Sequence, residues 1–478
     1  MKCLSLGFAG LAAVVASAQP ALTVYNQGFA VVRERVPLDL KAGENLVQFA
    51  GATAMLEPDS VVLRDPAGRV QVRVLEQSYR ADVMSPGLML ALNEGREIDF
   101  LVRDQNAKEY TVRGKVVRSG YSPGGETTTP IIEVDGRLRF SLPGEPLFPA
   151  LPGDGILKPT LSWTLGAPQA AKFEAELGYV TGGLNWQAAY NLVAPEKGDT
   201  LDIVGWVTVT NESGKAFDQA AVKLMAGDVN RVQPPVARGG AMKRELMMTD
   251  MAMAAAPVTE KSFDEFHLYS LARPVTLRDR ETKQVEFMRA TGVKAPVIYV
   301  YDGAAMFATF RGGMMRDPGF GTQSNKKVWV MREFRNSEAN RLGLPLPKGR
   351  LRFYRRDDAD GRIEFTGENQ LDHTAKNELV QVKTGDAFDV VGERTRTNFN
   401  SSSRQDFAEE DFEIKVRNRK TEPVTVRIVE HLYRWSNWRI VQQSDEFTKK
   451  DAQTIEFNVP VPADAEKVVT YRVRYEWK

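Results

Sequence analysis

The sequence predicts an all-β protein, built as several antiparallel sandwiches of immunoglobulin-like type with little helix. Apolar and polar residues alternate with a period of two along many short segments. Turn pairs such as Asp-Gly separate those segments. Apolar residues at helical spacing are nearly absent from the 478 residues. With 42% hydrophobic and 26% charged residues the composition is that of an ordinary globular chain, which excludes wholesale disorder and coiled-coil rods.

Residues 1–18 read as a secretory signal peptide. Lys2 supplies the positive start, an apolar run extends from Leu4 to Ala16, and Ala16-Ser17-Ala18 offers a small-x-small cleavage site before Gln19. Cleavage removes Lys2 and the single cysteine, Cys3, and leaves acidic and basic residues in balance. The expected location is therefore periplasmic, cell-surface or secreted. No later apolar stretch is long enough for a transmembrane helix.

An N-terminal β domain is expected over 19–145, with a short helical piece near Gly87–Asn93 and a hairpin at Asp135-Gly136. The Pro- and Gly-rich stretch Leu142–Pro159 separates it from a central β region at 160–403. Inside that region Gln233–Pro257 reads as a long Met-rich loop, with Met242–Ala256 as its helical candidate. A second hairpin is expected at Asp360-Gly361, between Arg350–Arg356 and Arg362–Phe365. Residues 404–478 read as a C-terminal sandwich module. There Phe412, Ile414 and Val416 alternate with charged residues, as do Val469, Tyr471, Val473, Tyr475 and Trp477.

Lys+Arg at 63 against Asp+Glu at 62 argues against a nucleic-acid binder. One Cys and three His leave little for zinc sites or a cysteine nucleophile. Gly120-Tyr121-Ser122-Pro123-Gly124 has the spacing of a hydrolase nucleophile elbow, but Pro123 lacks the N–H that an oxyanion hole requires there. His267, His373 and His431 form no close metal-type pair, and His431 falls in a strand pattern that suits packing. Arg356-Asp357-Asp358-Ala359-Asp360-Gly361 resembles half a calcium loop, yet Arg356 and Gly367 occupy the positions that should be acidic, so a hairpin turn is expected.

Two weak binding candidates remain. Met247, Met248, Met251 and Met253, with Met242, form a thioether cluster that could hold Cu(I) or serve as adaptable apolar filler. Tyr433, Trp435 and Trp438 could stack on sugar rings if exposed, although strand tryptophans commonly pack in cores.

Several motifs in order are similar to a bacterial exported family of unknown function that includes the mucoidy-inhibitor-like proteins. They begin with Leu22-Thr23-Val24-Tyr25-Asn26-Gln27-Gly28-Phe29, then Tyr179-Val180-Thr181-Gly182-Gly183-Leu184-Asn185-Trp186 and Asn211-Glu212-Ser213-Gly214. They continue with Met225-Ala226-Gly227-Asp228, Phe266-His267-Leu268-Tyr269, Asn336-Ser337-Glu338, Gly343-Leu344-Pro345-Leu346-Pro347-Lys348-Gly349 and Gly385-Asp386-Ala387-Phe388-Asp389-Val390. The mucoidy-inhibitor-like proteins carry a long coiled coil between their halves, whereas this chain has no heptads and resembles a compact branch. The resemblance implies β-sandwich domains and export. It supplies no catalytic residues.

The expected function is that of an exported, non-catalytic envelope or cell-surface protein that binds another protein or a polysaccharide without a cofactor. The alternatives are an enzyme that uses a carboxylate pair on envelope polymers and Cu(I) handling through the Met-rich loop. A cleft with two converging carboxylates, one of raised pKa, would mark the enzyme.

Overall fold

A computed structural model describes residues 19–104, 107–122, 128–151, 155–227, 229–230, 259–263, 265–308, 314–402 and 406–477. The leader-like segment 1–18, the loop 233–257 with Met247, Met248, Met251 and Met253, and Pro123 and Gly124 of the Gly-Tyr-Ser-Pro-Gly stretch lie outside the described residues. The protein is 60% strand and 4% helix, arranged in several separate sheets, so the all-β multi-sandwich expectation holds. No helix among the described residues is long and apolar enough to cross a membrane.

The chain forms two compact units, each assembled from discontinuous stretches. The first takes residues from Met1–Trp186, Val209–Met225 and Leu268–Lys283. One of its sheets runs in the order Phe217–Ala226, Ala21–Tyr25, Phe29–Leu40, Ala171–Gly182 and Val62–Arg64. Its first pair is parallel and the other pairs are antiparallel. A three-stranded sheet sets Thr160–Ala167 between Gly43–Ala50 and Arg73–Arg80.

A five-stranded sheet carries Glu97–Arg103, Glu109–Arg118 and Ile131–Val134 over a small core of Leu90, Ile98, Phe100, Val116 and Ile132. The expected helical piece is present as Pro86–Leu92. Pro86 opens it, and the Ser85 side chain accepts from Leu88 N–H at 3.2 Å, the geometry of an N-cap. The expected hairpin pairs Ile131–Val134 with Arg137–Arg139. Asp135 and Gly136 both adopt positive φ, +50° and +69°, as a two-residue primed turn requires.

The second unit comprises residues from Gln187–Thr208, Ala226–His267 and Gln284–Lys478. Its five-stranded sheet runs Glu281–Lys294, Thr200–Asn211, Leu184–Ala194, Gly349–Arg356, Ile363–Leu371. The hairpin at Asp360-Gly361 forms as expected. Its carboxylates serve the turn itself: Asp357 accepts from Ala359 N–H at 2.8 Å and Asp360 from Arg362 N–H at 2.9 Å.

A nine-stranded sheet contains Val297–Tyr301, Lys327–Arg335, the 23-residue strand Leu379–Ser401, Phe407–Asn418, Val424–His431, Thr454–Val461 and Ala465–Glu476. Val297–Tyr301 pairs with Val424–His431 in parallel. The alternation read from the sequence marks its inner face: Phe412, Ile414, Val416, Val469, Val473 and Tyr475 share one core with Val426, Ile428 and Phe457.

That core also buries charge. Arg394 Nε donates to both oxygens of Glu430 at 3.0 and 2.9 Å, and Tyr471 Oη donates to Glu430 at 2.5 Å. Arg434 Nη2 donates to Glu410 at 2.8 Å. All four charged side chains are at most 1% exposed. Arg394 also lies over the Phe412 ring at 4.0 Å and binds Gly321 O at 3.1 Å. Burial opposes the charge on Arg394, but Glu430 outweighs it and holds the guanidinium well above its ordinary pKa.

Three fully buried asparagines pin strand ends. Asn211 Nδ2 donates to the carbonyls of Lys215 and Arg278, Asn336 Nδ2 to those of Leu344 and Ala375, and Asn418 Nδ2 to those of Glu422 and Pro462. Each carboxamide satisfies backbone oxygens that strand pairing has left open.

Candidate functional site

The second unit contains a cavity of about 970 Å³ between its two sheets. Ala194, Leu201, Phe353, Tyr354 and Arg355 come from the five-stranded sheet. Tyr299, Val330, Arg332, Val424 and the segment Thr384–Val390 come from the nine-stranded sheet. Glu196–Asp199 and Lys420–Pro423 close the rim. The pairing register slips within Lys327–Arg335 where it meets Leu379–Ser401. Such an irregularity re-aims side chains. Beyond it Phe388 stands almost wholly in solvent, 94% exposed, on the cavity wall.

Charges of both signs line the space. Lys420 Nζ donates to Tyr299 Oη and to Glu422, each at 2.8 Å, and lies over the Tyr299 ring at 5.3 Å. Burial works against its charge, but the bonds to Glu422 and Tyr299 prevail and raise its pKa. The Lys420 hydrogen bond holds Glu422 below the ordinary carboxylate range. Asp386 is lowered in the same way by Lys383 at 2.6 Å and Lys327 at 3.1 Å. Arg355 donates to Glu196 O. Arg332 is only 6% exposed. Its Nη1 donates to Ala295 O at 2.8 Å. Burial first, and then the Arg355 charge, pull its guanidinium below the usual value.

This set can hold a polar ligand by hydrogen bonds and ion pairs while an aromatic face packs against it. Among the described residues no cluster of His, Cys, Asp and Glu is arranged to bind a metal.

The residues singled out from the sequence lie elsewhere. Tyr433 is buried at 4% exposure, with Oη on Gly321 O at 3.2 Å, and burial pushes its pKa up to about 12. Trp435 and Trp438 are half-buried against the nine-stranded core. Trp438 Nε1 donates to Ala452 O at 2.7 Å, and Lys449 lies over its ring at 4.7 Å. The three aromatics therefore do not form one continuous exposed surface. His431 pairs with Asp302 at 2.9 Å. Gly120 adopts a positive φ of +72°, and its carbonyl accepts from Thr128 N–H at 2.8 Å.

Sequence reasoning did not find the cavity residues. One signal was present: Arg332 takes an inward position beside Val328 and Phe334 on an alternating strand. The motif Gly385-Asp386-Ala387-Phe388-Asp389-Val390, quoted above for resemblance alone, forms part of the wall. No curated protein matches the chain. Residues 175–478 match the family described as Domain of unknown function (DUF4139), and the chain belongs to that family.

Proposed function

We propose that this is an exported, non-catalytic protein of the cell envelope or cell surface that binds another protein or a polysaccharide through the cavity of its second unit. The leader-like residues 1–18 support export. We further place the chain near the mucoidy-inhibitor-like proteins, in a compact branch without their coiled coil, on the motifs quoted above.

The observation that supports binding is the cavity itself. Tyr299, Tyr354 and Phe388 offer aromatic surface beside Arg332, Arg355, Asp199 and Asp389. Apolar area with a few placed polar groups is the usual make-up of a ligand site. A glycosidase-type mechanism needs a carboxylic acid held above its ordinary pKa. The carboxyl groups of the cavity with a resolved shift, Asp386 and Glu422, move down, as do Asp411, Asp445 and Asp451 elsewhere in this unit. Ionised carboxylates suit the binding of hydroxyl and N–H donors.

The test uses immobilised protein exposed to solubilised envelope material from the source cells. Retention of one defined polymer or protein by the wild type, lost in Phe388→Ala, is the expected outcome. Phe388 is exposed, so its truncation leaves the fold intact. Release of soluble fragments from an envelope polymer, abolished by Asp199→Asn or Asp389→Asn, would overturn the non-catalytic reading.

A further inference from the structure

Arg332 is a buried cation without a counter-ion. Nη1 donates to Ala295 O at 2.8 Å and to Gly198 O at 3.5 Å. Among the described residues neither Nε nor Nη2 has a partner, and no carboxylate lies within ion-pair distance. Nor are those two nitrogens among the sealed, unpartnered polar atoms of the structure. Arg332 is one of the residues that line the cavity.

A buried guanidinium held only by carbonyl dipoles is costly, and a fork of unused donors presents the geometry that carboxylate and phosphate oxygens fill. The surroundings do not repair the deficit. A strong neighbouring charge is a second cation, Arg355, with Asp199 acting the other way. Arg355 and Lys197 both act on Glu422, which Lys420 already engages. Lys197, Arg332, Arg355 and Lys420 line the cavity with Glu196, Asp199, Asp386, Asp389 and Glu422, so what Arg332 lacks is a bonded partner and the cavity as a whole has no excess of positive charge.

We infer that Arg332 holds a carboxylate or phosphate group carried on a sugar, so that the cavity takes an anionic oligosaccharide. This rests on the cavity-binding reading above and names its ligand class. A sugar fits better than an acidic peptide for two reasons. Asp199, Asp389 and Glu196 also line the space and would repel a run of carboxylates, whereas sugar hydroxyls donate to them. Phe388 offers an exposed ring face, and the C–H face of a pyranose packs on such a ring.

The test is calorimetric titration of the full chain with trigalacturonate, glucose 6-phosphate, neutral maltotriose and tetraglutamate, at low and raised salt. One or both anionic sugars should bind, more weakly at raised salt. Preference between them identifies the anion as carboxylate or phosphate. Arg332→Gln should weaken that binding on the order of 10- to 100-fold, as expected for a lost charge-assisted hydrogen bond. Because Arg332 is buried, Arg355→Gln and Phe388→Ala serve as further variants, and each should weaken the same sugar with an unchanged melting temperature.

Equal binding of maltotriose, or unchanged affinity in Arg332→Gln, overturns the anion site while the cavity remains a binding site. Binding of tetraglutamate alone overturns the sugar assignment. Absence of heat with both anionic sugars overturns the inference, and the envelope-retention experiment with Phe388→Ala then decides the binding reading separately.

Discussion

Glu430 is the point at which the core of the second unit is most easily broken. Its carboxylate is fully buried, accepts two hydrogen bonds from Arg394 and one from Tyr471, and among the described residues is the only counter-charge paired with Arg394. Glu430→Gln keeps the shape and one acceptor oxygen but strands the guanidinium in the core. Breaking a buried pair from one side costs about 3–5 kcal/mol. For a unit of this size each kcal/mol lowers the melting temperature by roughly 2–4 °C, so a fall of about 6–20 °C is expected.

The companion variant Arg394→Met/Glu430→Gln removes both charges. Tyr471 Oη keeps the amide oxygen of the glutamine as an acceptor and Gly321 O keeps Tyr433 Oη at 3.2 Å, so the group left unpaired is the carboxamide NH2, about 1–3 kcal/mol. The double variant should therefore cost clearly less than Glu430→Gln and Arg394→Met added together. Urea unfolding followed by tryptophan fluorescence reads all four proteins. A Glu430→Gln cost below about 1 kcal/mol, or strict additivity in the cycle, would refute the assignment of this pair as a coupled buried ion pair.

The remaining expectations concern histidine, asparagine and the N-terminus. Burial pulls the His431 pKa down, but Asp302 at 2.9 Å prevails and raises it. The pair's stabilisation is then complete below about pH 6.5, the unfolded value, and is lost as pH rises through the folded value. Asp302→Asn should flatten that dependence in denaturant melts, and a wild-type curve already flat there would contradict it. Asn418→Asp sets a carboxylate against the carbonyls of Glu422 and Pro462, so a loss of about 2–3 kcal/mol is expected in urea, with Asn418→Ser costing less. Exported protein should begin at Gln19 on N-terminal sequencing, and a reducing agent should leave its melting temperature unchanged, since the only cysteine of the chain is Cys3. A mature N-terminus that retains Cys3 would defeat the leader reading.

What the sequence made legible was local. Alternation identified the inner faces at Phe412–Val416 and Val469–Tyr475, because side chains on a strand must alternate between core and solvent. The Asp-Gly hairpins and the helix that starts at Pro86 could be read because turn and cap chemistry lies within a few residues. Pairing between distant strands left no such mark. Nothing near Leu184–Ala194 announces its parallel partner Gly349–Arg356.

The cavity has the same opacity, since its walls come from segments as far apart as Ala194 and Thr425. Arg332 could have been suspected as a charge in an inward register, but register alone does not separate a ligand-facing arginine from a buried ion pair such as Arg394–Glu430. Tyr433 could not be assigned to core or surface for a related reason. It follows the end of Val424–His431, where alternation no longer tells which way a side chain points.

The parallel pairing of Val297–Tyr301 with Val424–His431 has a consequence for synthesis. Tyr301 and Val328 share a core with Val426, Phe457 and Tyr475. A growing chain therefore makes its early strands long before their partners exist. Closing such sequence-distant contacts is slow, and exposed strand edges invite misassembly meanwhile. A chain stopped before Ala465 lacks the strand that pairs with Phe407–Asn418 and leaves that edge unpaired. Premature termination near the C-terminus should thus produce aggregation instead of a slightly shortened protein.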